Sequence, residues 1–123
     1  MPRKIIVCDD DKDILEMLEI ILSNDQTEVI SVLNSLTLFA ELDKHKPDLL
    51  LLDLWMPVLA GDQIVRQLRK QANYIDFPII VMSASRDGKN IAFEAGASAY
   101  MEKPFNINEL VGMVDEYVSY KKL

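Results

Sequence analysis

Four places in this 123-residue sequence carry side chains that could do chemistry together. Three aspartates run consecutively, Asp9-Asp10-Asp11. A lone aspartate, Asp53, follows four leucines. Ser83-Ala84 follows Ile79-Ile80-Val81-Met82, and Lys103-Pro104 comes soon after Ala99-Tyr100-Met101. Carboxylates gathered in one crevice repel and raise one another's pKa values. A divalent cation relieves that repulsion. An all-oxygen donor set favours Mg²⁺, which keeps several waters and so leaves room for a phosphate oxygen. An ammonium and a hydroxyl beside the metal suit a group with three anionic oxygens, a phosphoryl group. One carboxylate can then act as nucleophile, because aspartate forms acyl phosphates. Asp53 is the best candidate: it stands alone at the end of the most apolar run, opposite the Asp9/Asp10 pair.

These groups converge only if the runs before them are neighbouring strands. Ile5-Ile6-Val7-Cys8 is a compact β-branched run. Residues 27–33, 49–52, 79–82 and 99–101 read as four further strands, with 49–52 buried on both faces. Apolar residues at helical spacing mark helices over 12–23, 35–46, 62–72, 87–95 and 106–120. Ile14, Leu15, Leu18, Ile21 and Leu22 face inward in the first, Leu36, Phe39 and Leu42 in the second, and Ile64, Val65 and Leu68 in the third. Ile107, Leu110, Val111, Val114 and Val118 form the stripe of the last. Asp11 or Asp13 caps the first helix and Asn106 with Glu109 the last; Pro47 stops the second and Gly96 closes the fourth. Strict alternation predicts an α/β fold of the (βα)5, flavodoxin-like type: a five-stranded parallel sheet with helices on both faces. In such sheets the working site lies beyond the carboxyl ends of the strands.

Composition narrows the function classes. Thirteen basic residues face twenty acidic ones, a formal net charge of −7, and the basic residues are scattered. That argues against direct nucleic-acid binding, which needs clustered Lys and Arg. One cysteine, Cys8, can form neither an internal disulfide nor a cysteine metal cluster; it reads as a small core residue. No apolar run approaches the ~20 residues of a membrane span, and the start is unlike a signal peptide. The expectation is a single cytoplasmic domain over 1–123 without a membrane partner. His45 reads as a solvated cation at a helix end. Met17 and Met113 fall off the main stripes and read as surface or adaptable docking residues.

With these residues in place, the sequence resembles the receiver domains of two-component response regulators. The resemblance rests on Asp9-Asp10, on Asp53-Leu54-Trp55-Met56-Pro57 with Gly61, and on Ile80-Val81-Met82-Ser83-Ala84. Gly96-Ala97 and Tyr100-Met101-Glu102-Lys103-Pro104-Phe105 complete it. It implies that Asp53 accepts a phosphoryl group from a phosphohistidine on a histidine kinase or histidine phosphotransfer protein. It implies Mg²⁺ held by Asp10 and Asp53 directly, by Asp9 through water and by the backbone carbonyl of Trp55. Lys103, Ser83 and Ala84 would bind the phosphoryl group. Ser83 and Tyr100 would act as the switch that remodels the face of the fourth helix, fifth strand and fifth helix for a downstream protein target. The Lys103–Pro104 bond would be cis. Trp55 and Ser85 would influence how fast the acyl phosphate hydrolyses, with Trp55 shielding it. Such a module promotes its own phosphorylation and dephosphorylation and is not otherwise an enzyme. The chain departs from the family in Ala60, where aspartate is frequent, in Cys8 and in the bulk of Trp55.

Two other classes compete. An aspartyl-phosphate-forming phosphohydrolase would use Asp9 and Asp11 as a D-x-D pair, but would leave the Pro57 loop and Lys103-Pro104-Phe105 unexplained. A flavodoxin-like ligand binder would need a Gly/Ser/Thr-rich phosphate loop after the first strand, where three aspartates stand instead. Asp11 by itself reads as a helix cap, favourable at a helix N-terminus.

Overall fold

The five apolar runs become five parallel strands: β1 (Arg3–Cys8), β2 (Thr27–Val32), β3 (Leu49–Asp53), β4 (Ile79–Ser83) and β5 (Ala99–Glu102). They are joined by α1 (Lys12–Leu22), α2 (Leu38–His45), α3 (Gly61–Arg69) and α4 (Gly88–Ala95), with α5 (Ile107–Lys122) last. The computed structural model describes residues 2–122, with side chains over 2–118; residues 1 and 123 of the expected 1–123 span lie outside the described residues. The strand order is 2-1-3-4-5. Every residue of β3 and β4 is buried, as continuous apolar runs require when helices cover both faces.

Alternation along the strands splits the core in two. Ile5, Val7, Leu49, Leu51, Ile80 and Met82 face α1 and α5, meeting Leu15, Leu18, Leu22, Leu110 and Val114. Ile6, Cys8, Leu50, Leu52 and Val81 face α2, α3 and α4, meeting Leu38, Leu42, Ile64, Leu68 and Ala92. Among the described residues, no helix is long and apolar enough to cross a membrane.

Four details depart from the expected elements. The helix expected from residue 35 begins as a 3-10 turn, Ser35–Thr37, because Asn34 Oδ1 takes the Leu36 N–H at 2.9 Å. That tight turn rotates Leu36 outward, to 60% exposure. The third helix stops at Arg69 and a 3-10 turn, Ala72–Tyr74, follows. Arg69 ends it by folding its guanidinium onto the carbonyls of Tyr74, Phe77 and Gly96 at 2.6–2.9 Å. Ile107, expected inward, is 55% exposed at the first turn of α5. Met17 and Met113 are half-buried rather than plain surface, Met113 packing on the α1/α5 side. His45, at the end of α2, lies 3.0 Å from Glu41 one turn back.

The sheet order places the site. β1 and β3 are neighbours, but their outgoing connections run to opposite sides, so a crevice opens beyond their carboxyl ends. Asp53 ends β3 and Asp9 follows β1 directly. The loop after Asp53 returns at once to the strand: the Gly61 N–H donates to the Leu54 carbonyl at 2.8 Å. A Cβ on Gly61 would collide with the Asp53 carbonyl oxygen and lie 2.9 Å from Leu54 Cα. Those obstacles are backbone and cannot swing aside. Gly61→Ala is therefore expected to destabilise the fold by about 1–3 kcal/mol, the usual cost of forced overpacking. Urea denaturation checks this; an unchanged midpoint would mean that the loop does not need the close approach.

Candidate functional site

Each site residue is delivered by the end of a strand. Asp9 is fully buried, and its backbone N–H donates to the Val32 carbonyl at 3.3 Å, extending the β1–β2 ladder. Its Oδ1 accepts the Asp11 N–H at 3.0 Å, so the chain bends into α1 over this carboxylate. Asp53 is 5% exposed. β3 pairs Asp53 with Met82 of β4, which puts Ser83 one residue further along the neighbouring strand. The Lys103 N–H donates to the Ser83 carbonyl at 2.9 Å, and the Lys103–Pro104 bond is cis. The Lys103 ammonium reaches back into the crevice, 2.7 Å from Asp9 Oδ2 and 3.1 Å from Asp53 Oδ1.

Asp10 is exposed but joins the group. Asp9, Asp10 and Asp53 each offer a carboxylate oxygen within 4.8 Å of the others'. Asp11 does not join: its Oδ1 caps α1 by accepting the Asp13 N–H at 2.9 Å. The D-x-D pair therefore points two ways, Asp9 into the crevice and Asp11 onto the helix. Trp55 stands in the loop two residues after Asp53, 51% exposed. Within that loop Val58 takes a left-handed φ of 70°, rare for a β-branched residue. Ala60 has no oxygen to cap α3; Gln63 Oε1 instead accepts the Ala60 N–H at 2.9 Å.

Ser83 is buried, and its Oγ accepts the Ser85 N–H at 3.0 Å. Ala84 beside it is exposed. The Tyr100 ring packs against the α2/α3/α4 side of the core. Its hydroxyl lies 3.1 Å from both the Ser83 and the Ser85 carbonyl oxygens.

Electrostatics follow from burial first and crowding second. Burial raises the Asp53 carboxyl to about 6; the Asp9 charge adds to the rise, and Lys103 offsets part of it. For Lys103, burial favours the neutral amine, but the hydrogen bond to Asp9 and the charges of Asp53 and Asp9 outweigh it and hold the ammonium above its ordinary value. Burial, then the charges of Asp9, Asp53 and Asp10, push the Cys8 thiol up to about 12. With its sulfur 3.8 Å from Met56 Sδ, Cys8 is inert core.

The donor set fits a hard cation. Three carboxylates face one ammonium, and all the candidate ligands are oxygens, the arrangement that Mg²⁺-like ions favour. The acidic triad could bind a metal ion. Sequence reasoning missed two contributors. Nothing in the spacing of Arg69 signals its four hydrogen bonds to Gly96, Tyr74, Phe77 and Ser98. Gly88 left a faint signal, a glycine at the start of an otherwise plausible helix.

The comparisons agree with this geometry. The family whose model matches is described as "Response regulator receiver domain", over residues 5–115. The transcriptional regulatory protein KdpE of Staphylococcus aureus is 36% identical over 112 residues, covering 89% of this chain and 47% of KdpE. A crystal structure assigned as a response regulator of Chloroflexus aurantiacus superposes with a TM-score of 0.91 at 29% identity, covering 97% of this chain and 99% of that one. The chemotaxis protein CheY4 of Vibrio cholerae does so with a TM-score of 0.86 at 26% identity, covering 95% and 99%. The chain spans about half the length of the curated relatives it matches.

The raised Asp53 carboxyl makes stability pH-dependent. Below about pH 4 it is protonated both folded and unfolded, and it carries no penalty. Between there and about 6 the unfolded chain loses this proton while the folded one keeps it, so folding weakens. Asp53→Asn escapes that penalty. In EDTA at pH 7.5 the variant is expected to be more stable than the parent by roughly 2–3 kcal/mol, the gap closing toward pH 4. Urea titrations across this range check it; a pH-independent gap would contradict the assignment.

Proposed function

The chain belongs to the response regulator receiver domain family, and we propose that it is a phosphorylation switch with Asp53 as its phosphoacceptor. A receiver domain is a signalling module rather than a conventional enzyme. The observation that carries the reading is one side chain: Asp53, buried at the end of β3 and held between the Lys103 ammonium and the Asp9/Asp10 carboxylates. In this reading an Asp53 Oδ attacks the phosphorus of a phosphohistidine on a histidine kinase or histidine phosphotransfer protein. The P–N bond breaks, and the imidazole nitrogen keeps the electron pair and takes up a proton.

Lys103 moves from Asp53 to a phosphoryl oxygen while retaining Asp9. Ser83 Oγ accepts from the Ser85 N–H and keeps its own O–H to donate to a second oxygen. Ala84, next along, completes the cradle. Asp10 and Asp53 directly, Asp9 through water and the Trp55 carbonyl would hold Mg²⁺, which neutralises the charge gathered there. Through Tyr100 the Ser83 shift reaches α4, β5 and α5, the surface offered to a downstream protein target. We read 1–123 as one receiver module acting in the cytoplasm through protein contacts, without direct nucleic-acid or membrane binding. The capping role of Asp11 weighs against the phosphohydrolase alternative.

Intact-mass measurement after incubation with Mg²⁺ and acetyl phosphate tests the reading. A single phosphoryl adduct is expected, labile to hydroxylamine and absent in Asp53→Asn or with EDTA. An adduct that survives Asp53→Asn, or rapid turnover lost in Asp9→Asn instead, would overturn it. The same assay follows lifetime: Trp55→Asn is expected to shorten the adduct's half-life severalfold by opening the phosphoryl group to water.

A further inference from the structure

Gly88 opens α4, and its backbone does not call for glycine. Among the described glycines only Gly96 has a positive φ. Glycine weakens a helix relative to alanine, and this helix already begins without a side-chain cap, Asp87 making no such bond. What Gly88 provides is space. A Cβ there would lie 2.7 Å from Tyr100 Oη and 3.1 Å from both Cβ and Oγ of Ser83. The first of these is closer than real contacts allow.

The same spot is a junction of hydrogen bonds. The Gly88 N–H donates to the Ser85 carbonyl at 3.2 Å, and the Tyr100 hydroxyl reaches that carbonyl too. The hydroxyl also reaches the Ser83 carbonyl, which accepts the Lys103 N–H. The end of β4, the first turn of α4 and the Tyr100 side chain thus meet at one point, and they fit only because residue 88 has no side chain. At its other end α4 is fixed: Arg69 Nε donates to the Gly96 carbonyl at 2.9 Å, and its Nη2 bonds Ser98 Oγ at 3.2 Å.

We propose that Gly88 is the positioning residue for Tyr100: the bare first turn of α4 lets the ring lie inward with its hydroxyl bridging Ser83 and Ser85, coupling the Tyr100 rotamer to the seating of the α4 N-terminus. The functional meaning rests on the reading of Ser83 and Tyr100 as the switch pair. With a side chain at 88, either Tyr100 swings out or α4 lifts from β4. Because the far end is clamped by Arg69, a lift would pivot about Gly96.

A double-mutant cycle tests this, using the parent, Gly88→Ala, Tyr100→Phe and the double variant. Gly88→Ala is expected to lower the folding equilibrium constant roughly tenfold more in the parent than in the Tyr100→Phe background, where the obstructing oxygen is gone. A merely structural glycine would cost the same in both, and that equality overturns the proposal. In chains carrying 3-fluorotyrosine, the Tyr100 ¹⁹F resonance is identified by its loss in Tyr100→Phe. It should move in Gly88→Ala: to the solvent-exposed position, with a larger D₂O isotope shift, where the ring swings out, or to a second buried position where α4 lifts; an unmoved resonance also overturns the proposal. If Gly88→Ala alone does not fold, folding of the double variant supports the clash and failure of both refutes it. The Asp53 adduct, measured on the same proteins, separates the two readings. Its absence from the parent defeats the phosphoacceptor assignment and leaves the Gly88 result standing, while a normal adduct with an additive cycle defeats only the Gly88 proposal.

Discussion

Three carboxylates held within 4.8 Å of one another are an electrostatic cost that the surrounding structure both creates and contains. The backbone creates it. β1 and β3 are parallel neighbours with Cys8 opposite Leu52, so the residues that follow, Asp9 and Asp53, emerge side by side. β5, two strands away, contains it by returning Lys103 to bridge Asp9 and Asp53. A single ammonium cannot balance the set, and burial strengthens every charge interaction within it. The crevice is thus suited to a hard cation and to an anion that shares it, and in the proposed reading Lys103 exchanges partners there.

The surroundings pack closely around Asp9 and Asp53 and hold the crevice more lightly at one edge. Gly61 seats the loop after Asp53 against the strand, and Cys8, whose thiol stays protonated, packs beneath Asp9 against Met56. In the proposed reading the edge that adjusts is at Ser83. Its carbonyl, that of Ser85 and the Tyr100 hydroxyl form a junction at the start of α4, while Arg69 ties the other end of the helix to Gly96 and Ser98. A helix held firmly at its C-terminus and lightly at its N-terminus suits a two-state surface, because a displacement at Ser83 can tilt it about its fixed end.

Much of this was legible in the sequence, for physical reasons. Continuous apolar runs such as Leu49-Leu50-Leu51-Leu52 announce strands covered on both faces, and a polar residue at or just beyond the end of such a run stands at the sheet's rim. Asp9, Asp53, Ser83 and Lys103 could therefore be singled out from position alone. The strand order, which turns four rim residues into one crevice, is a long-range property that spacing allows without setting. Side-chain competition for the backbone was also hidden. Asn34 tightens the start of the second helical segment and turns Leu36 outward, and Arg69 reaches from the end of its helix to three carbonyls in two other segments. Ile107 matched the apolar period of α5 yet sits at its exposed first turn, where the stripe has not reached the sheet.

The central claim is that burial together with carboxylate crowding at the β1–β3 crevice makes Asp53 a cation-dependent site. The most direct measurement is the NMR titration of the Asp53 side-chain carbonyl, ¹³C-labelled, with and without Mg²⁺. The account predicts a midpoint near 6 in EDTA, moving down by a unit or more when Mg²⁺ is added. A midpoint in the ordinary aspartate range, unmoved by the ion, would contradict it.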